Sequence, residues 1–132
     1  MIDKETLFLY RLKEAEETLQ EAKKMFEEGF SPRATINRTY YAMFYLLLAL
    51  FLKSDVNIKT SKHKGVLSLF DKEFVKTGKI DKQYSEVLHN IFNARQEGDY
   101  KEFVKLSSAD ASEYIKLAED FFKEIKKLII EH

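Results

Sequence analysis

Thirteen consecutive residues, Tyr40 to Leu52, carry no charge, and every one of them is apolar or aromatic. A helix of that composition has no face to offer water, so it must be enclosed by other elements. It is too short to cross a bilayer, which takes about 20 apolar residues, and too long for an ordinary strand. Upstream, Ser31 and Pro32 mark a start: serine caps the free N–H groups, and proline at the first helical position lacks an N–H that would go unpaired there. The pattern predicts a central helix over 32–53. Its first half brings in Arg33, Asn37 and Arg38, then the hydroxyls of Tyr40, Tyr41 and Tyr45. Helical spacing sets Arg38, Tyr41 and Tyr45 on one face.

The neighbours of this helix follow from period. Phe8, Leu12, Ala15, Leu19, Ala22 and Phe26 recur at steps of three and four and predict an amphipathic helix over 3–28, capped by Asp3 and ended by Gly29. With so short a link, the first two helices are expected to pack as an antiparallel hairpin. Residues 54–60 read as a loop. A third helix, Ser61 to Lys76, turns His63, Val66, Leu67, Phe70 and Phe74 inward, and Gly78 marks the turn after it. A fourth, 82–96, carries Tyr84, Leu88, Ile91 and Arg95 along one face and is expected to end at Gly98. After an irregular stretch, 98–106, Ser107 and Asp110 form a capping pair for a last helix over 108–130. Its stripe is Ala111, Ile115, Ala118, Phe121, Ile125 and Leu128. The expectation is all-α: one domain over 1–132, an up-and-down bundle of four to five helices.

Charge narrows the function. There are 22 basic and 22 acidic side chains, so no global field attracts nucleic acid, and any such contact needs a local patch. The absence of cysteine removes disulfides, thiolate nucleophiles and Cys-type zinc sites. Met1 to Leu12 contains acids and no continuous apolar core, which argues against a signal peptide and points to the cytoplasm. A Gly-rich phosphate loop, Gly-x-Ser-x-Gly and His-Glu-x-x-His are all missing. No cofactor is implied, and His89 has no histidine or carboxylate at ligand spacing that would make it a metal site.

Two places bear functional chemistry. Arg95 projects from the bundle-facing side of its helix, where an arginine needs a partner or a polar cleft. Asp99, four residues on, is the nearest partner, so a structural Arg–Asp pair and a functional groove both stand open. The segment Lys59-Thr-Ser-Lys62-His63-Lys64 is a basic cluster at a helix start, which suits phosphate. A solvated cap, with His63 hydrogen-bonded in the core, is the alternative.

Asn37-Arg-Thr-Tyr-Tyr-Ala-Met-Phe44 resembles the central-helix signature of the HEPN domains, the higher-eukaryote and prokaryote nucleotide-binding proteins. The similarity continues through His63-Lys-Gly65, the run Phe70 to Val75, Arg95-Gln-Glu-Gly-Asp-Tyr100 and Ala118-Glu-Asp-Phe-Phe122. It spans the chain in order and is nearest to the stand-alone prokaryotic form. The resemblance implies a dimeric helical bundle. It also implies a toxin-like component encoded beside a minimal nucleotidyltransferase antitoxin, and a metal-independent ribonuclease. The family's ribonuclease motif is an arginine, four to six residues, then a histidine. Arg95 matches the arginine. Tyr100 takes the first histidine slot, followed by Lys101 and Glu102, so the motif histidine is replaced.

Two functions are therefore carried forward. One is binding of RNA or nucleotide near Arg95, with Arg38, Lys62, His63, Lys64 and Asp99 as contacts and with Arg95 and Tyr100 as the candidate catalytic pair. The other is a non-catalytic helical dimer that docks a partner. Apparent surplus aromatic surface at Tyr40, Tyr41, Phe44, Tyr45 and Phe51 predicts a homodimer through the second or fourth helix.

Overall fold

The computed structural model describes residues 3–59, 62–100 and 105–131, with residues 97–100 and 131 described by backbone alone. Five α-helices follow in order: α1 (Lys4–Glu27), α2 (Pro32–Lys53), α3 (His63–Phe70), α4 (Lys82–Tyr100) and α5 (Ser108–Glu131). A π-helical turn, Asp71–Val75, continues α3 directly. No strand occurs among the described residues.

The caps are made by the residues whose chemistry suits them. Asp3 accepts from the Thr6 N–H at 2.7 Å, and Ser31 Oγ accepts from the Ala34 N–H at 3.2 Å. Ser107 and Asp110 form a reciprocal box: Asp110 N–H donates to Ser107 Oγ at 3.1 Å, and Ser107 N–H donates to the Asp110 carboxylate at 2.8 Å. Gly29 ends α1 with φ +79°, a conformation that is cheap only for glycine.

Ion pairs mark the directions of the helices. Lys4 pairs with Asp55 at one end of the α1–α2 hairpin, and Arg38 with Glu21 toward the other, so the two helices are antiparallel. Lys23 with Glu119 and Lys126 with Glu16 set α5 antiparallel to α1 in the same way. α4 runs antiparallel to α2, with Arg95 against Asn37 and Phe92 against Tyr40. Thus α2 is held by α1, α4 and α5, and Ile36, Tyr40, Met43, Leu46, Leu47, Leu50 and Phe51 are wholly buried.

Three expectations change. The third helix begins at His63 and gives way to the π turn, in which the Lys76 N–H reaches back five residues to the Asp71 carbonyl at 2.8 Å. The fourth helix does not stop at Gly98 but continues to Tyr100; a glycine inside a helix costs only about 1 kcal/mol relative to alanine. Tyr40, Phe44 and Phe51 are not surplus surface, because this chain's own core covers them. Of the five rings, Tyr41 and Tyr45 stay half-buried. Phe26, at the end of the α1 stripe, is 37% exposed.

Candidate functional site

The site grows from the first half of α2. Asn37, Tyr40, Tyr41 and Phe44 are spaced three and four apart, so their side chains meet along one side of the helix. α4 lies against that side and sets Arg95 across it. Arg95 Nε donates to Asn37 Oδ1 at 2.7 Å. The guanidinium carbon stands 5.2 Å from the Tyr40 ring centroid, 5.4 Å from Tyr41 and 6.0 Å from Phe92. A cation over aromatic faces is held by their quadrupoles. Among the described residues the two Nη groups make no hydrogen bond.

α3 delivers a second polar group. His63, its first residue, stacks on Phe44 with centroids 4.1 Å apart and planes 8° from parallel. Its Nδ1 lies 2.7 Å from the Tyr40 hydroxyl. The imidazole centroid is 5.6 Å from both the Tyr40 and the Tyr41 centroids. Arg95 and His63 thus share the same two tyrosine rings, although 32 positions separate them in the chain.

The electrostatics fit this packing. Burial pushes the Tyr40 phenol far above its usual range, more than the Arg95 charge draws it down, so the hydroxyl keeps its proton. Burial first, and then the Arg95 charge, lower His63 below the ordinary histidine value of 6.5, so the ring is neutral at pH 7. Arg95 is thereby the site's fixed positive charge beside a neutral imidazole.

The other sequence candidates scatter. Arg38 turns to α1, where it donates to Glu21 at 2.6 Å within a groove of about 330 Å³ that also holds Glu14 and Glu17. The basic cluster divides: Lys59 lines a cleft of about 540 Å³ with Lys72 and Lys79, His63 joins the aromatic site, and Lys62 and Lys64 are exposed. The side chains of Asp99 and Tyr100 lie outside the described residues, so the described partner of Arg95 is Asn37.

Sequence reasoning missed that partner, though Asn37 sits one turn before Tyr41 and on its face. It also missed Asp71, whose carboxylate accepts from Ser85 Oγ at 2.5 Å and meets His89 Nε2 at 2.8 Å. Among the described residues, no group of three or more His, Asp or Glu side chains is arranged to hold a metal ion. Nor is any described helix long and apolar enough to cross a membrane.

The model of the HEPN domain matches residues 8–128. The chain belongs to the HEPN family. A Thermotoga maritima relative, named UPF0332 protein, is 38% identical over 129 residues, covering 98% of this chain and 96% of its own. Two Methanocaldococcus jannaschii relatives carry the names "Putative toxin MJ0142" and "Putative toxin MJ0605". They are 33% identical over 119 residues and 37% identical over 117 residues. These alignments cover 90% and 89% of this chain, and 79% and 84% of the relatives. The HEPN match takes in all the described site residues, from Asn37 on α2 to Arg95 on α4.

Proposed function

We propose that this HEPN protein is the cytoplasmic, toxin-like component of a toxin–antitoxin pair, and that it binds RNA or a nucleotide at Arg95. One observation carries the reading. A guanidinium is held through Nε by Asn37 and seated over Tyr40 and Tyr41, with its Nη edge unengaged among the described residues. That is how an arginine is presented to a phosphate, which takes a planar fork. Half-buried Tyr41 offers a ring on which a base stacks. The toxin names of the two archaeal relatives support the role. A minimal nucleotidyltransferase is the antitoxin that the sequence signature implies. The homodimer would use part of α2 or α4, and light scattering at micromolar concentration tests it, a monomer refuting it.

Cleavage of RNA, in this reading, is slow. The 2′-hydroxyl attacks phosphorus and gives up its proton, the P–O5′ bond breaks, and the 5′-oxygen leaves and takes up a proton, giving a 2′,3′-cyclic phosphate and a 5′-hydroxyl; Arg95 stabilises the charge that develops on the phosphoryl oxygens. Proton transfer is the weak part. Tyr40 is a buried, protonated phenol, and an unperturbed tyrosine, with a pKa of about 10, is a poor general base at pH 7.

Arg95→Ala tests the site. Binding of a labelled single-stranded RNA and of nucleotides should fall, with the loss shrinking at high salt, while the helical circular dichroism spectrum persists. Unchanged binding with a clear fall in melting temperature supports the other reading, in which Arg95 is a structural tie to Asn37 and the chain is a docking module. The 2.7 Å bond inside the fold is what favours that reading.

A further inference from the structure

Tyr40 is fully buried, and the partner of its hydroxyl is His63 Nδ1. A buried hydroxyl must place its proton on an acceptor. The phenol stays protonated and His63 Nδ1 is the one described partner its hydroxyl has, so Tyr40 O–H donates and Nδ1 accepts. A neutral imidazole has one N–H; with Nδ1 accepting, that N–H is on Nε2. Phe44 stacks on one face of the ring, and Tyr41 meets it edge-on at 83°, so the imidazole is packed on two sides. Among the described residues Nε2 makes no hydrogen bond, and His63 is half-buried.

We propose that His63 is a second phosphate-contacting residue of the Arg95 site, acting as a neutral donor through Nε2–H to the phosphoryl group that Arg95 engages through Nη. The proposal rests on the reading of Arg95 as the phosphate-binding residue. It adds a contact from a different helix, in which Tyr40 is the positioning residue that fixes the tautomer. The ligand class is a phosphate mono- or diester carrying a base, with Tyr41 between the two donors as the stacking ring. A neutral donor suits this place because a second cation next to Arg95 would be repelled before the anion arrives. The same geometry withholds proton transfer from His63: its Nδ1 lone pair is engaged by Tyr40, and its Nε2 already carries a proton.

Two conservative variants separate the two ring nitrogens. In His63→Gln the side-chain amide reaches the Nε2 position and supplies an N–H. In His63→Asn the shorter amide reaches only the Nδ1 position, so it keeps an acceptor for Tyr40 and loses the outward donor. Each variant of the full chain is titrated with a fluorescein-labelled single-stranded oligoribonucleotide, and its melting temperature is recorded. His63→Asn should bind about tenfold more weakly or worse, the size expected for one hydrogen bond to a charged group, and His63→Gln should bind within about threefold of the parent. Parent-like binding by His63→Asn, while Arg95→Ala binds weakly, overturns this inference and leaves the Arg95 reading intact. Parent-like binding by Arg95→Ala overturns the Arg95 reading and this inference with it. A measurement on the parent needs no variant to fold: two-dimensional 15N correlation spectra of the histidine ring should show the Nε2–H tautomer at pH 7.5. The Nδ1–H pattern there refutes the proposal.

Discussion

Replacing Asn37 with aspartate leaves Arg95 in place and cancels its charge. The two side chains are nearly isosteric, and the acceptor at Oδ1, 2.7 Å from Arg95 Nε, is preserved as a carboxylate oxygen. A phosphate on the Nη edge would then lie across the guanidinium from the new carboxylate, at about 6 Å. Coulomb's law puts their repulsion at about 0.7 kcal/mol in bulk water and about 2.8 kcal/mol at an effective dielectric constant of 20. Both Asn37 and Arg95 are half-buried, so an intermediate value of about 1.4 kcal/mol applies, and this is a tenfold loss of affinity. The stability of the fold should move by no more than about 1 kcal/mol, because a partly exposed ion pair contributes little. Fluorescence anisotropy with a labelled single-stranded RNA, repeated over a salt series, is the assay. The slope of log affinity against log salt should shrink by about 0.7, the value of one single-strand phosphate contact. RNA affinity and salt slope equal to the parent's would refute the placement of phosphate at Arg95.

Other expectations follow from single contacts. Ser31→Ala removes the acceptor for the Ala34 N–H and should cost about 1 kcal/mol in a denaturant titration. Leu50→Ala leaves a void beside a fully buried position of α2 and should cost about 3 kcal/mol, without changing the helical signature. Folding lowers the His63 pKa, so the unfolded chain takes up that proton first; this contribution to stability is complete above about pH 6.5 and is lost as pH falls below it. Melting temperatures between about pH 8 and pH 5 should therefore fall less steeply in His63→Gln than in the parent. Equal slopes would show that the ring is not held neutral by the fold.

The fold was legible because its signals are local. Ser31-Pro32, Asp3, Gly29 and the Ser107–Asp110 pair each act within a turn of their own position, and the α2 run has one physical outcome at any location in a bundle. The site was legible only in part. Arg95 announced itself as a cation on an inward face, but its anchor, Asn37, is 58 residues away. Proximity in sequence suggested Asp99, whose side chain lies outside the described residues, and only the pairing of α2 with α4 supplies Asn37. His63 was visible as an inward histidine, whereas its meeting with Tyr40 depends on how α3 docks. The π turn carries no periodic signature, since a single added residue leaves the flanking apolar spacing readable as an ordinary helix.

That turn bears on how the molecule opens. α3 has eight residues, too few to be stable as a helix by itself. Phe70 and Phe74 plug it into the core against Phe121 and Phe51, and Asp71 fastens it to Ser85 and His89 on α4. Such a segment should exchange its amide hydrogens faster than α2, which hydrogen exchange would show. The contacts that dock α3 also hold His63 beside Arg95, so a change at Asp71, which bonds to Ser85 and His89, should reach the site through α3.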